Sequence, residues 1–288
     1  MIRNPVTEKE GEVLKPETQL RIEQFLKAVT QAHQSLLLLD YDGTLAPFRE
    51  ERHQAFPYPG IAPLLEEIVR GGHTRVVIIS GRDTSETIPL LGVEPIPEVW
   101  GLHGLQRRKL NGSVETVRLE EHDLDALSDA DRWLEYQQLR HTAEFKTGSI
   151  AVHWRGLSDR AVEELRGRVL LGWKPIAERS GLELMDFDGG VEIRAPEADK
   201  GDVVQLLLSE MEPDTPAAYL GDDATDERAF RAIHGRGLSV LVRPRWRPTA
   251  AQLWLKPPEE LFDFLTQWLE AVRGRDALGG EAVAAVGG

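Results

Sequence analysis

Three short apolar runs each end in residues able to do chemistry. Leu36-Leu-Leu-Leu39 runs into Asp40-Tyr41-Asp42-Gly43-Thr44, Arg75-Val-Val-Ile-Ile79 into Ser80-Gly81-Arg82, and Ala217-Ala-Tyr-Leu220 into Gly221-Asp222-Asp223-Ala224-Thr225-Asp226. Asp40 and Asp42 stand two apart, so an extended backbone turns both side chains the same way. Carboxylates gathered at the ends of apolar strands repel one another and lose solvent. A hard divalent cation relieves that repulsion, and an oxygen-only donor set with open positions suits Mg²⁺ together with a substrate phosphate. With its charge so held, Asp40 is placed to attack a phosphoryl group as a carboxylate nucleophile. Asp42 is then free to protonate the leaving oxygen and afterwards to activate water. Gly43 permits a tight turn, and Thr44 carries a hydroxyl for the phosphate. The reaction also needs a cation where charge gathers on the transferring group. Lys200, in Ala198-Asp199-Lys200-Gly201 at the start of an expected helix, is the candidate.

None of these features is decisive alone. An Asp-x-Asp after an apolar run is also a common turn, and Lys200 by itself reads equally well as a solvated surface lysine. Asp186-x-Asp188 before Gly189-Gly190 repeats the bare pattern, but its flanks alternate and a hairpin turn is the better reading. The weight lies in three such strand ends occurring together, because ligands of open α/β sheets bind beyond the carboxyl ends of the strands, where strand order reverses.

The elements that must position these residues follow from patterning. Continuous apolar runs at 36–39, 76–79, 217–220 and 238–242 suit parallel strands buried on both faces. Helical patterns lie between them, around 61–69, near 203–211 and from Thr225, which predicts an α/β sheet with right-handed crossovers. Helices over 18–33 and through Leu261, Leu265, Trp268 and Val272 present apolar packing stripes. The middle of the chain differs: Ser113–Arg118 and Gly148–Trp154 alternate apolar and polar, the mark of an antiparallel sheet with one wet face, with helical patterns near 124–141 and 158–172. The expected plan is a core of residues 1–105 and 196–288 interrupted by an α+β insertion over 106–195. Two linkers, near 105 and 196, join the parts, and the insertion is expected to swing on them. Residues 1–16 and 279–288 read as loose ends.

Composition sets outer bounds. The 288 residues carry a formal net charge of −14, which argues against nucleic acid or an anionic membrane as the main partner. No cysteine is present, so disulfides, zinc–thiolate sites, iron–sulfur clusters and a cysteine nucleophile are excluded. The N-terminus lacks the apolar stretch of a secretory signal and no run is long enough to span a bilayer, so a cytoplasmic protein is expected.

Taken together, the motifs resemble the haloacid-dehalogenase superfamily of phosphotransferases. Asp40-Tyr41-Asp42-Gly43-Thr44 is similar to its first motif, Ser80 to its second, Lys200 to its third, and Gly221-Asp222-Asp223 with Asp226 to its fourth. The resemblance implies a Rossmann-like parallel-sheet core with Asp40 as nucleophile and Asp42 as acid/base. It also implies Mg²⁺ held by Asp40, the main-chain carbonyl of Asp42 and Asp222, with Asp223 and Asp226 supporting those ligands. Ser80, Gly81 and Arg82, with Thr44 and Lys200, are expected to meet the phosphate. Dehalogenases of the superfamily lack the second aspartate, so Asp42 points to phosphoester hydrolysis. The insertion lies where the superfamily carries its larger substrate-selecting cap. Within it, Glu144-x-Lys146-x-x-Ser149-x-x-x-His153-x-Arg155 and Gly190-Val191-Glu192-Ile193-Arg194 are similar to trehalose-6-phosphate phosphatases. His103-Gly104 fits as well, although Leu102 stands where an acidic residue is usual.

Polyols are recognised by fixed charged and imidazole groups. His103, Glu144, Lys146, Ser149, His153, Arg155, Glu192 and Arg194 are therefore the expected contacts for a sugar phosphate. A sucrose-phosphate or glycosyl-glycerate-phosphate phosphatase would share the same core and differ in the cap. A phospho-accepting receiver module would be a much shorter chain without Asp42 or a large insertion. The expected partners are a small sugar phosphate and, for any coupling to synthesis, a separate trehalose-phosphate synthase.

Overall fold

The fold was analysed in a computed structural model. It describes residues 16–49, 51–154, 156–187 and 189–286, with side chains described from residue 17 to 275 within those spans. The expected loose N-terminus and residues 287–288 lie outside the described residues, as do the side chains of Arg155 and Asp188.

The chain runs α1 (Pro16–Gln31), β1 (Ser35–Leu39), α2 (Ile61–Arg70), β2 (Thr74–Ile79), α3 (Thr84–Leu91), β3 (Glu98–Gly101), β4 (Gln106–Arg108) and β5 (Val114–Thr116). Next come α4 (Glu121–Tyr136), β6 (Ala143–Lys146), β7 (Ser149–His153), α5 (Asp159–Ser180), β8 (Glu183–Phe187) and β9 (Gly190–Arg194). It closes with α6 (Lys200–Ser209), β10 (Ala217–Gly221), α7 (Glu227–Ala232), β11 (Leu238–Val242), β12 (Leu253–Leu255) and α8 (Glu259–Val286).

Eight strands form one sheet in the order β12-β11-β10-β1-β2-β3-β4-β5, and β12 through β3 are parallel. Both faces are covered, which is why β1 reads as an unbroken apolar run. Leu37 and Leu39 pack into a layer with α1, α2 and α8, while Leu36 and Leu38 pack into a second layer with α6 and α7. From β1 the chain proceeds to β2 on one side and returns much later to β10 on the other. Strand order therefore reverses at β1, and the carboxyl ends of β1, β2 and β10 open onto one crevice.

A separate antiparallel sheet, β6-β7-β9-β8, carries α4 and α5 on one face. Its alternation is legible in the register. Ile150, Val152, Val191 and Ile193 point into the helix layer. The opposite parity sets Glu144, Ala151, Glu192 and Met185 in one cross-strand row, and Lys146, Ser149, Arg194 and Glu183 in the next.

Two expectations change. Ser113–Arg118 does not join this second sheet: β5 pairs with β4, and β4 pairs antiparallel with β3, extending the large sheet to its edge. The alternation was read correctly as one wet face, but an exposed edge hairpin produces the same pattern as an inserted sheet. The chain thus leaves the large sheet after Thr116 rather than at residue 105. At the other end, α8 continues through residues 279–286, where alanine-rich composition favours helix despite the glycines. Among the described residues no helix is long and apolar enough to cross a membrane.

Candidate active site

Asp40 follows the last residue of β1 and is buried, as are Asp222 after β10 and Lys200 at the first position of α6. A lysine in the first helical turn opposes the helix dipole. Here Asp199 caps the helix, accepting from the Gly201 amide at 2.6 Å, and two carboxylates receive the charge. Lys200 Nζ donates to Asp40 Oδ1 at 2.6 Å and to Asp226 Oδ1 at 2.8 Å. Burial works against this ammonium, but Asp226 and Asp40 together outweigh it and hold its pKa above that of an ordinary lysine. Burial pushes the Asp40 carboxyl up to about 7, with Lys200 pulling it down and Asp226 adding to the rise. Thr44 Oγ1 donates to Asp40 Oδ2 at 2.9 Å, so both carboxylate oxygens of Asp40 are oriented.

Oxygens of Asp40, Asp222 and Asp226 lie within 4.8 Å of one another, all buried. Burial, then the charges of Asp40, Asp223 and Asp226, push the Asp222 carboxyl well above its ordinary range. Repulsion of this kind is what a hard divalent cation removes, and the oxygen-only donor set fits one. The three carboxylates differ in how many hydrogen bonds they already accept. Asp226 Oδ1 accepts from Lys200 and, at 2.6 Å, from Tyr219 Oη; its Oδ2 accepts from the amides of Asp222 and Asp223 at 3.0 Å each. A carboxylate has about four acceptor positions, so those of Asp226 are filled, whereas the Asp40 side chain accepts from Lys200 and Thr44 alone among the described residues and Asp222 stays beside it in the cluster. Gly43, with φ +87°, lets the backbone pass under Asp222: a Cβ there would stand 2.1 Å from Asp222 Oδ2.

The second strand end turns toward the first. Arg82 is directed to Asp42, Nε donating to Oδ2 and Nη2 to Oδ1, while Nη1 donates to the Arg52 carbonyl at 2.8 Å. The fork rests on a carboxylate because the turn after β2 aims it at the neighbouring turn after β1. Ser80 Oγ accepts from the Arg82 amide at 3.1 Å and shapes that turn from beneath. Gly81 lies against the imidazole of His103: a Cβ would meet the ring at 2.6 Å.

The polar face of the second sheet closes over this crevice. Glu144, Lys146, His153 and Glu192 line the same cleft as Asp40, Asp42, Lys200 and Asp222. Glu192 is buried, accepting from Ser149 Oγ at 2.7 Å, with Lys146 Nζ at 3.6 Å and His103 Nε2 at 3.4 Å. Burial opposes its charge, yet His103, Lys146 and Ser149 hold its carboxyl well below the ordinary glutamate range. Burial pulls His103 below its ordinary value, keeping the ring neutral near pH 7. His103 Nε2 faces Glu192 while Nδ1 is buried without a partner. Lys146 is likewise lowered by burial, with Glu192 opposing.

Two expected sugar contacts sit elsewhere. Ser149 is behind Glu192, and Arg194, 1% exposed, reaches Glu183 at 3.1 Å and Asp199 at 3.4 Å. Arg228 of α7 joins the same two carboxylates, so Arg194 ties the second sheet to the large one. The register explains it: Arg194 lies in the Lys146 row, at the sheet end where the chain re-enters α6.

Several residues of the site carry no sequence signal. Arg52 and Phe48 line the cleft without belonging to any motif, and Phe187 and Thr225 line it from within quoted segments in which nothing singled them out. Tyr219 was legible only as an apolar strand residue, although a phenol inside a buried run needs a partner and Asp226 is that partner.

Comparison with known proteins adds an independent line. The family model described as trehalose-phosphatase matches residues 38–256. The trehalose-phosphate phosphatase of Mycobacterium marinum is 28% identical over 249 residues, covering 79% of this chain and 60% of that protein. A Mycobacterium tuberculosis protein described as an uncharacterized glycosyl hydrolase is 30% identical over 264 residues, covering 86% of this chain but 19% of its own length. The chain thus spans only part of these curated relatives. The C-terminal domain of the Candida albicans trehalose-6-phosphate phosphatase superposes with a TM-score of 0.74 at 19% identity, covering 86% of this chain and 96% of that one.

Proposed function

The chain belongs to the trehalose-phosphatase family of haloacid-dehalogenase-type phosphatases, and from that premise we propose that it hydrolyses trehalose 6-phosphate to trehalose and inorganic phosphate with Mg²⁺, through an aspartyl-phosphate on Asp40. The observation that carries the reading is the juxtaposition of two unlike surfaces across one cleft. A buried carboxylate–lysine cluster lies below, and Glu144, Lys146, His153 and Glu192 lie above. The lower surface suits a phosphoryl group and the upper one a polyol, since buried polar groups reject ligands that lack matching hydroxyls.

In the first half-reaction an Asp40 oxygen forms a bond to phosphorus as the bond to the sugar oxygen breaks, and Asp42 gives that oxygen its proton. One Asp42 oxygen must be freed from Arg82 to do so while the other stays held. In the second half-reaction Asp42 takes a proton from water, the water oxygen bonds to phosphorus, and the bond to Asp40 breaks. Lys200 balances charge on the transferring group, with Asp226 holding it in place. Asp40, the Asp42 carbonyl and Asp222 would hold Mg²⁺, which supplies charge neutralisation between nucleophile and phosphate. His103 and Lys146 keep Glu192 ionised as an acceptor for sugar hydroxyls.

The test is phosphate release from a panel of sugar phosphates with Mg²⁺ and with chelator. Trehalose 6-phosphate is expected to be hydrolysed fastest and chelator to stop release. Equal rates on glucose 6-phosphate would sink the substrate, and full activity in Asp40→Asn would sink the mechanism.

A further inference from the structure

The catalytic cleft shares a wall with a second, larger groove. The cleft around Asp40, Lys200 and Asp222 has a cavity volume of about 100 Å³, less than the roughly 150 Å³ that accepts one benzene ring. That is room for a phosphoryl group and the edge of the sugar nearest it, within reach of Glu192, but not for a whole disaccharide. Beside it runs a groove of about 620 Å³ whose far side is formed by His141, Thr142 and Gly156. Arg52, Glu144 and His153 line both spaces. They are the partition.

The partition is built from both sheets' territories. Arg52 sits on a single 3-10 turn, Arg52–Gln54, between β1 and α2. Its guanidinium is ion-paired with Glu144 of β6, and Glu86 of α3 lies 3.5 Å from its other side. Glu144 also meets His153 Nε2 at 2.9 Å. Arg52 and Glu144 are half-buried, 31% and 23% exposed, so their attraction is only partly screened. Behind the side chain, the Arg52 carbonyl accepts from Arg82, which grips Asp42. A guanidinium presents five donors in a planar fork and Glu144 presents acceptors, so each can take sugar hydroxyls as hydrogen-bond partners while Glu86 stays beside Arg52 at 3.5 Å and Lys146 beside Glu144 at 3.9 Å to balance their charges.

We propose that Arg52 is a specificity-determining residue: its pair with Glu144 gates the passage between cleft and groove, and it parts to grip the hydroxyls of a sugar seated in the groove while the phosphoryl group lies at Asp40. The proposal deepens the phosphatase reading and rests on it.

The experiment compares kcat/KM for trehalose 6-phosphate with kcat/KM for acetyl phosphate, whose phosphoryl group and two-carbon unit need only the inner cleft. Arg52→Ala is expected to lower the ratio of the two about tenfold or more, the effect of losing one charge-assisted hydrogen bond. Arg52→Lys, which keeps the charge but not the fork, is expected to recover part of it. Equal losses on both substrates would mark Arg52 as merely structural and overturn the proposal. Thr142→Trp fills the groove without altering any charge and is expected to lower the same ratio, so the test survives if Arg52→Ala does not fold; an unchanged ratio there also overturns it. Should the wild-type enzyme prefer another sugar phosphate, the proposed substrate fails, and the gate is then read with the preferred ester against acetyl phosphate.

Discussion

Arg82 holds both carboxylate oxygens of Asp42, at 2.6 Å from Nε and 2.5 Å from Nη2. Strand-end logic sends Arg82 to the phosphate, but the fork makes it the keeper of the proposed acid/base. Lysine cannot reproduce two parallel bonds in one plane. Arg82→Lys is therefore expected to lower kcat about tenfold with little change in KM, because Asp42 loses its resting orientation and not its contact with the sugar. Arg82→Ala is expected to cost about 2 kcal/mol in urea unfolding, below the ~3–5 kcal/mol of a fully buried pair, since Asp42 stays 27% exposed. A wild-type kcat in Arg82→Lys would refute the positioning role.

Lys200 lies between Asp40 and Asp226, and its removal leaves two buried carboxylates facing each other. Lys200→Ala is expected to destabilise the fold by about 3–5 kcal/mol. Asp40→Asn leaves Lys200 its second partner and is expected to destabilise less, although it abolishes turnover. Melting curves of the two variants side by side decide this; coincident transitions would contradict it.

Metal dependence is readable without turnover. An ion that binds only the folded chain raises its stability by about 2.7 kcal/mol at a hundred times Kd. Mg²⁺ is therefore expected to raise the melting temperature of the wild-type protein, and Asp222→Asn to abolish that rise. In metal-free buffer Asp222→Asn is expected to melt no lower than wild type, because it removes one member of a repelling buried cluster. A Mg²⁺ shift of wild-type size in the variant would exclude Asp222 as a ligand.

His103 and Glu192 give the fold an acid-sensitive pair. Burial holds the His103 pKa below 6.5, with Glu192 opposing and Lys146 and Lys200 reinforcing the fall. The unfolded histidine thus binds a proton that the folded one resists, and stability declines as pH falls below about 6.5. Glu192, held well below its ordinary value, contributes stability that is present above about 4.5 and lost as pH falls through its folded pKa. Both slopes have the same sign. Chemical denaturation from pH 7 to pH 5 is expected to show falling stability in the wild type and a shallower slope in His103→Gln.

Legibility followed the physics of each element. β1, β2, β10 and β11 were visible because strands covered on both faces must be apolar throughout, and the motif residues were visible because they interrupt those runs abruptly. The polar row of the second sheet was visible through period-two alternation. The β4–β5 hairpin was misassigned because alternation reports a wet face and not which sheet owns it. Arg82 and Arg194 were legible as charges near a site, but Asp42 reaches Arg82 from the turn after a different strand, and Arg194 finds Glu183 across the β8–β9 pairing and Asp199 where the chain enters α6.

Local chemistry by itself determined the class of this protein: buried strands ending in Asp40, Ser80 and Asp222, with a helix-initial Lys200, admit few uses other than a phosphoryl group. What only the tertiary structure decided is which charge answers which. Asp226 takes Lys200 and Tyr219, Arg82 forks on Asp42, and Arg52 meets Glu144 across the cleft. The reason is range. Backbone periodicity fixes the direction of a side chain relative to its neighbours two to four residues away, whereas an ion pair depends on distances set when two separate sheets pack, and no local pattern encodes those.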